Sequence, residues 1–416
     1  MINIPKGTKD MLPTESYKWN YIKTCARNIA KNYNIKEIAT PVFEHTELFV
    51  RGVGDSSDIV NKEMYTFLDK GERSITLKPE GTAGVVRSFI ENSMFNEPMP
   101  IKMFYFSPCY RYEKPQAGRL REHHQFGVEL FGATGVKADA EILMIATDFY
   151  KSLGLNPMVV LNNLGCPDCR KKYVDALREY FSPKIDTMCD DCKNRLKTNP
   201  LRILDCKDED CHVVIDKAPK ISDCLCEDCK TNFGELLSLL DTLEIKYELN
   251  DKLVRGLDYY TNLVFEFWDN DGVTKAALGG GGRYDNLVEQ LGGKSTPVVG
   301  FGIGIERLII YMESKNKDFP AADRLKTYIV SMVNDNATVL KIAKDLRDNG
   351  ISCEVDVANR GTKAQFKYAN KVNAEYSVII GEEELSTNSV KLKNMDTGEE
   401  NLVSIENLCN TIKGAK

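Results

Sequence analysis

Two glycine-rich segments constrain this chain more than any other feature. One is Gly279-Gly-Gly-Gly-Arg-Tyr-Asp285; the other is the strand-like Gly300-Phe-Gly-Ile-Gly304, which runs into Glu306 and Arg307. With no Cβ in the way, such backbone admits a planar or phosphorylated ligand at close range. Just upstream, Leu253-Val-Arg-Gly-Leu-Asp-Tyr-Tyr260 gathers one cation, one carboxylate and two phenols. An arginine close to apolar residues needs an anion. The combination points to a site that handles charged phosphates beside a small polar substrate.

At 416 residues the chain exceeds one ordinary core and is expected to form two or three domains. Its composition, 42% hydrophobic and 28% charged, is that of a globular protein. A net charge of −6 argues against a general nucleic-acid coat but allows a local basic patch. No stretch reaches the ~18 uninterrupted apolar residues of a membrane span, since Glu306 and Arg307 break Val298 to Tyr311. The N-terminal Met1-Ile-Asn-Ile-Pro-Lys-Gly7 lacks the apolar core of a secretion signal. A cytoplasmic protein without membrane contact is expected.

Periodicity outlines the organisation. Ile142, Ile145, Ala146, Phe149 and Leu153 form one face of a helix over 136–153, stopped by Gly154. Ile101–Phe106 and Gln125–Phe131 read as strands of an antiparallel hairpin, with the charged loop Glu113 to His124 and its Pro-Gln-Ala-Gly turn as a tip over a ligand. Leu263–Trp268 is another strand. A charged linker near Asn316 to Arg324 precedes a strand–helix–strand–helix–strand order, which argues for a small α/β domain with a largely parallel sheet.

Between residues 166 and 235 apolar periodicity weakens, and nine of the thirteen cysteines cluster there, as in a small inserted domain. In a reducing compartment such clustering favours metal over disulfides. Cys166, Cys169, Cys189 and Cys192 have nearly the spacing of a four-thiolate zinc site. Cys206, Cys211, Cys224, Cys226 and Cys229 offer a second. Free buried thiols are the alternative. A catalytic zinc is not expected, because His212 has no further histidine or carboxylate at ligand spacing.

Three further constellations carry chemistry. In Thr76-Leu-Lys-Pro-Glu-Gly-Thr82, Glu80 and Thr82 share one side of an extended segment and suit a substrate ammonium, although a surface turn around Pro79 fits too. Arg111 and Glu113 in Ser107-Pro-Cys-Tyr-Arg-Tyr-Glu113 offer a planar fork for phosphate or carboxylate. As an exposed cross-strand pair they would contribute only ~0.2–1 kcal/mol. Gln125 and Glu129 share one strand face. Late in the chain, Arg360, Lys363, Lys367 and Lys371 interleave with Phe366 and Tyr368, a pattern that suits single-stranded RNA and equally a solvated helix face.

Taken together, these peptides resemble the histidyl-tRNA synthetase family of class II aminoacyl-tRNA synthetases. Ile38-Ala-Thr-Pro-Val-Phe-Glu44 is similar to motif 1, Ser107–Glu113 with His124–Glu129 to motif 2, and Gly300–Leu308 to motif 3. Leu253–Tyr260 and Gly279–Asp285 resemble the two histidine-specific peptides. The resemblance implies an α+β fold, with a class II catalytic core on an antiparallel sheet over 1–165 and 236–320. It also implies an inserted domain over 166–235 and an α/β anticodon-binding domain over 325–416.

The implied reaction makes histidyl-adenylate and pyrophosphate from L-histidine and ATP with Mg2+, then acylates the terminal adenosine of the histidine tRNA. By resemblance, Arg111 and Arg255 act on the α-phosphate, Glu113 reads adenine, and Arg307 packs on adenine and reaches the γ-phosphate. Glu80 and Thr82 would take the α-amino group, with Lys78 standing where the family more often has arginine. Gln125, Glu129, Tyr259, Tyr260 and Tyr284 would surround the histidine; two adjacent tyrosines alone would read as core or rim. Arg360, Lys363 and Lys367 would belong to the tRNA interface, and motif 1 implies a homodimer. Two other classes share parts of this pattern. A regulatory histidine-sensing paralogue typically lacks the last domain, and an RNA-binding module would not require Arg111, Arg255 and Arg307 around one pocket.

Overall fold

Strands with apolar residues on both faces need cover on both sides, and Leu263–Trp268 has them: Leu263, Val264, Phe265 and Phe267 are all buried. The computed structural model describes residues 2–54, 57–116, 118–270, 272, 277–317, 319–320 and 323–414. It divides into two compact units, Met1–Phe319 and Pro320–Lys416. Ala117 of the expected loop turn and residues 318, 321 and 322 of the expected linker lie outside the described residues, as does Met1.

In chain order the strands of the first unit begin with β1 (Lys36–Glu37), β2 (Phe43–His45), β3 (Tyr65–Leu68) and β4 (Ser74–Leu77). The long pair β5 (Ile101–Tyr110) and β6 (Glu122–Phe131) follows, then β7 (Met158–Asn163) and β8 (Tyr247–Leu249). The series closes with β9 (Thr261–Trp268), β10 (Gly279–Arg283) and β11 (Val298–Gly304). Eight of them form one sheet in the order β1-β5-β6-β11-β10-β9-β7-β8. The six central strands pair antiparallel and only the short outer β1 and β8 pair parallel. A small antiparallel sheet, β2-β4-β3, stands apart.

Strand alternation divides the main sheet into two faces. Phe104, Phe126, Val128, Phe265, Phe267, Phe301 and Ile303 enter one apolar cluster with the helices Ser16–Asn32 and Val136–Ser152. The latter helix ends one residue short of the expected Leu153. On the opposite face Met103, Tyr105, Phe131 and Val264 join a second cluster. That cluster continues through Tyr173, Leu177 and Phe181 of the inserted segment to Leu253, Tyr259 and Tyr260. The residues between 166 and 235 are therefore packed onto this face, and their apolar side chains continue its cluster. The expected end of the insertion at 235 falls inside the helix Glu227–Thr242, which buries Leu236 and Leu240 in the first cluster.

The second unit has β12 (Thr327–Ser331), β13 (Cys353–Val355), β14 (Tyr376–Ile380), β15 (Ser389–Asn394) and β16 (Glu400–Ser404) in the order β13-β12-β14-β15-β16. The first three are parallel, as alternation with helices predicts; β15 and β16 add antiparallel strands that correct the expectation of a largely parallel sheet. Among the described residues no helix is long and apolar enough to cross a membrane.

Candidate active site

Cross-strand register builds the floor of the site. Tyr105 of β5 stands opposite Gly127 of β6, which faces Gly302 of β11, then Gly280 of β10, then Glu266 of β9. The Tyr105 ring fills the space over Gly127, where a Cβ would lie 2.2 Å from it, and the bare backbone of Gly302 and Gly280 leaves a trough beside it. At Gly280 a Cβ would lie 2.6 Å from the Phe265 carbonyl and 2.8 Å from Arg255 Nη1, so only glycine lets that guanidinium lie on the strand.

Over this trough lies a cavity of about 330 Å³ lined by Arg111, Glu113, Gln125, Arg255 and Arg307, with Glu266 and His123 also in its wall. Five residues expected from sequence thus converge. Arg111 Nε donates to the Pro79 carbonyl at 2.8 Å, which ties the end of β5 to the loop before helix Thr82–Glu91. Arg307 Nε donates to the Gly118 carbonyl at 2.9 Å and its Nη1 to the Ala277 carbonyl at 2.8 Å. Among the described residues neither guanidinium has a carboxylate within ion-pair distance; Glu113 and Glu266, in the same wall, offset part of the Arg307 charge from further off. Arg111 and Glu113 are not a cross-strand pair, because Glu113 faces Arg119 at 3.4 Å.

Arg255 pairs with Glu266, and its buried Nε has no hydrogen-bond partner among the described residues. Burial, and after it the charges of Arg111 and Arg307, pull His123 well below the usual histidine range and leave its ring neutral in the cavity wall.

Behind the cavity, Glu80, Thr82, Glu129, Tyr259, Tyr260 and Tyr284 come together as a closed cluster. Thr82 Oγ1 donates to Glu129 Oε1 at 2.8 Å, Tyr105 OH donates to the same oxygen at 3.1 Å, and Tyr284 OH donates to Oε2. The three tyrosine rings pack at centroid distances of 4.7, 5.2 and 5.9 Å. The Arg255 guanidinium, 5.8 Å from the Tyr260 ring centre, joins cluster to cavity. Burial pushes the Glu129 carboxyl well above the ordinary range, against the hydrogen bonds from Thr82 and Tyr105.

Glu80 and Thr82 are both buried here, but the segment is not extended as expected: Thr82 opens a helix. The Glu80 carboxylate instead accepts the Thr82 and Ala83 backbone N–H groups at 2.6 and 2.7 Å, satisfying donors that a helix N-terminus leaves free. Lys78 is buried and donates to the Thr40 carbonyl at 3.1 Å.

The cysteines group differently from their order in the chain. Cys166 and Cys169 lie with Cys226 and Cys229, whereas Cys189 and Cys192 lie with Cys206 and Cys211. The expected site joining the first two pairs is therefore corrected: each pair finds a later partner, because helices fold back between them. Cys224 belongs to neither group. His212 Nε2 lies 2.7 Å from the Cys206 carbonyl. Either group has the geometry to hold a metal ion.

In the second unit Lys363 and Lys367 are exposed on the helix Thr362–Lys371, as a basic face requires. Arg360 is held by Asp356 at 2.7 Å and lies 4.3 Å from the Tyr368 ring centre. Phe366 and Tyr368 pack against a buried cluster with Tyr328, so they are not the open stacking surface expected from the interleaving.

Tyr105 and Glu266 escaped the sequence reading. Glu266 was visible as a lone acid in an apolar strand; Tyr105 carried no such signal.

The profile of the family described as histidyl-tRNA synthetase matches residues 7–308, and that of the anticodon binding domain matches 326–415. A histidine–tRNA ligase of Clostridium novyi (strain NT) is 52% identical over 410 residues, covering 98% of this chain and 97% of that protein. Among solved structures, apo S. aureus histidyl-tRNA synthetase is similar with a TM-score of 0.85 and 40% identity, over 99% of this chain and 100% of that one. Histidyl-tRNA synthetase from Nostoc sp. PCC 7120 shares the fold at a TM-score of 0.68 and 19% identity, over 99% of each chain. Matched in both its parts and half identical to a ligase over nearly its whole length, the chain belongs to the histidyl-tRNA synthetase family.

Proposed function

We propose that this chain is a histidine–tRNA ligase that activates L-histidine with ATP and transfers it to the terminal adenosine of the histidine tRNA. The observation that carries the reading is the convergence of Arg111, Arg255 and Arg307 on one glycine-floored cavity backed by the Glu129–tyrosine cluster. Arg111 and Arg255 hold the α-phosphate as the histidine carboxylate attacks phosphorus, and they spread the charge that builds up there. Glu113 reads adenine, and Arg307 packs on it and reaches the γ-phosphate. ATP enters with Mg2+ as a substrate complex.

Histidine is recognised by groups that are costly to leave unpaired. Glu80 and Thr82 take its ammonium; Gln125, Glu129, Tyr259, Tyr260 and Tyr284 surround its ring. Such a polar pocket rejects isosteres far better than an apolar slot does. The tRNA meets Arg360, Lys363 and Lys367 through its phosphates.

The functional domains are a catalytic core over 1–165 and 236–320, an inserted domain over 166–235 and an anticodon-binding domain over 325–416. The protein acts in the cytoplasm as a homodimer. Val42, Phe43, Phe67 and Leu68, exposed on and beside the β2-β4-β3 sheet, provide an apolar surface for the second copy. Thiolate-bound zinc is the structural metal we assign to the insertion.

Charging of a histidine tRNA transcript with labelled histidine tests the reaction. Charging of that tRNA and not of others supports it; no charging with ATP, Mg2+ and histidine present refutes it.

A further inference from the structure

We infer that the inserted segment holds two single-ion four-thiolate centres, one nested inside the other, and that they brace the Arg255–Tyr260 segment from behind. The bracing rests on reading that segment as the substrate loop.

In each group the four sulfurs lie within 4.8 Å of one another. Zinc bound at about 2.3 Å to four thiolates needs sulfurs ~3.8 Å apart. Cys166 and Cys169 are 3.5 Å apart, and Cys189 and Cys206 are 3.7 Å apart. Those separations are far beyond the ~2.05 Å of a disulfide. Thiolates select zinc or another soft ion over magnesium or calcium.

Backbone N–H groups already point at the sulfurs. Cys166 N donates to Cys229 Sγ at 3.3 Å, and Cys226 N reciprocates to Cys169 Sγ at 3.0 Å. At the inner group Cys189 N donates to Cys211 Sγ at 3.3 Å and Asp208 N to Cys206 Sγ at 3.5 Å. Such hydrogen bonds stabilise sulfur as thiolate, the form a metal requires.

Each group is one residue or one short turn away from contacts to the substrate loop. Arg170 follows Cys169, and its Nη1 donates to the carbonyls of Tyr260 at 2.8 Å and Asp258 at 3.3 Å. Between Cys192 and Cys206, Arg202 Nη1 donates to the Arg255 carbonyl at 3.1 Å and Asn199 Nδ2 to Asp258 Oδ1 at 2.8 Å. Cys189 and Cys206 also share the wall of a cavity of about 680 Å³ with Arg111 and Glu113. Fixing the sulfurs thus fixes the backbone that carries Arg255, Tyr259 and Tyr260.

Elemental analysis of the full-length protein loaded with zinc should give two ions per chain. Cys226→Ser and Cys211→Ser should each give one. Fewer than two in the parent protein, or two in either variant, would overturn the assignment. Should a variant fail to fold, cobalt(II) titration of the parent decides: tetrahedral thiolate absorption should saturate at two equivalents, and saturation at one or none refutes two centres.

Chelating both ions should speed amide hydrogen exchange in residues 255–260 by about tenfold or more, because a local opening becomes easier. Unchanged exchange with the metal removed would overturn the bracing. Neither measurement uses ATP, histidine or tRNA, so its failure is separate from failure of the proposed reaction.

Discussion

The Thr82 hydroxyl donates to Glu129 Oε1 at 2.8 Å and so joins the start of a helix to the C-terminal end of β6, segments far apart in the chain. Through it, the groups proposed for the ammonium and for the ring of one small substrate become parts of a single hydrogen-bonded cluster. Replacing Thr82 by valine keeps the shape and removes the donor. Tyr105 still donates to the same oxygen, so the loss is that of one hydrogen bond, about 0.5–1.5 kcal/mol. Calorimetry should show histidine binding weakened by roughly 2–12-fold, the equivalent of that loss.

Glu129 predicts a pH dependence. Its carboxyl holds its proton in the folded protein at pH values where the unfolded chain has released it. The stability this lends is complete below the unfolded carboxylate pKa of about 4.3 and is lost as pH rises through the higher folded value. Glu129→Gln cannot titrate. Urea unfolding across pH should therefore show the parent protein losing stability relative to the variant as pH rises above that lower limit. A pH-independent difference would mean that Glu129 is not perturbed.

Arg255 separates binding from chemistry. Arg255→Gln removes a charge proposed to act on the phosphate in the transition state, while the tyrosines stay in place. Adenylate formation should fall by roughly 10²–10³-fold with histidine binding retained. Single-turnover adenylation beside equilibrium histidine binding makes the comparison; unchanged turnover would remove Arg255 from the mechanism.

Gly280→Ala places a methyl against both the Phe265 carbonyl and the Arg255 guanidinium. We expect a loss of about 1–3 kcal/mol in stability, as for other overpacked sites, and a fall in adenylation as Arg255 is displaced. Thermal unfolding and pyrophosphate exchange measure the two effects. Wild-type values in both would show that the trough has slack.

The exposed Lys363 and Lys367 predict an effect confined to the second half-reaction. A Lys363→Glu, Lys367→Glu double variant should charge tRNA poorly, with a shallower salt dependence, and keep adenylate formation intact. Equal loss in both half-reactions would mean that the change acts through folding.

Local pattern revealed the β5–β6 hairpin, the helix over 136–152 and the alternation of parallel strands with helices in the second unit. The peptides carrying Arg111, Arg255 and Arg307 were also legible, because each is a short run of rare composition. Long-range pairing was not. Nothing near Gly127 announces that Gly302 and Gly280 continue its row, since that register arises from strands brought together by the whole fold. The cysteine grouping was hidden for the same reason: adjacent pairs have good spacing, yet the chain folds each onto a later one. The segment Glu80 to Thr82 read as extended because a helix start has the same local composition as a turn.

Histidine-dependent exchange of pyrophosphate into ATP, with the other nineteen amino acids as controls, tests activation and selectivity together. Exchange with histidine alone is the expected result. Histidine binding without exchange, or exchange driven equally by other amino acids, would contradict the assignment of the arginine cavity and the Glu129 cluster to one adenylating site.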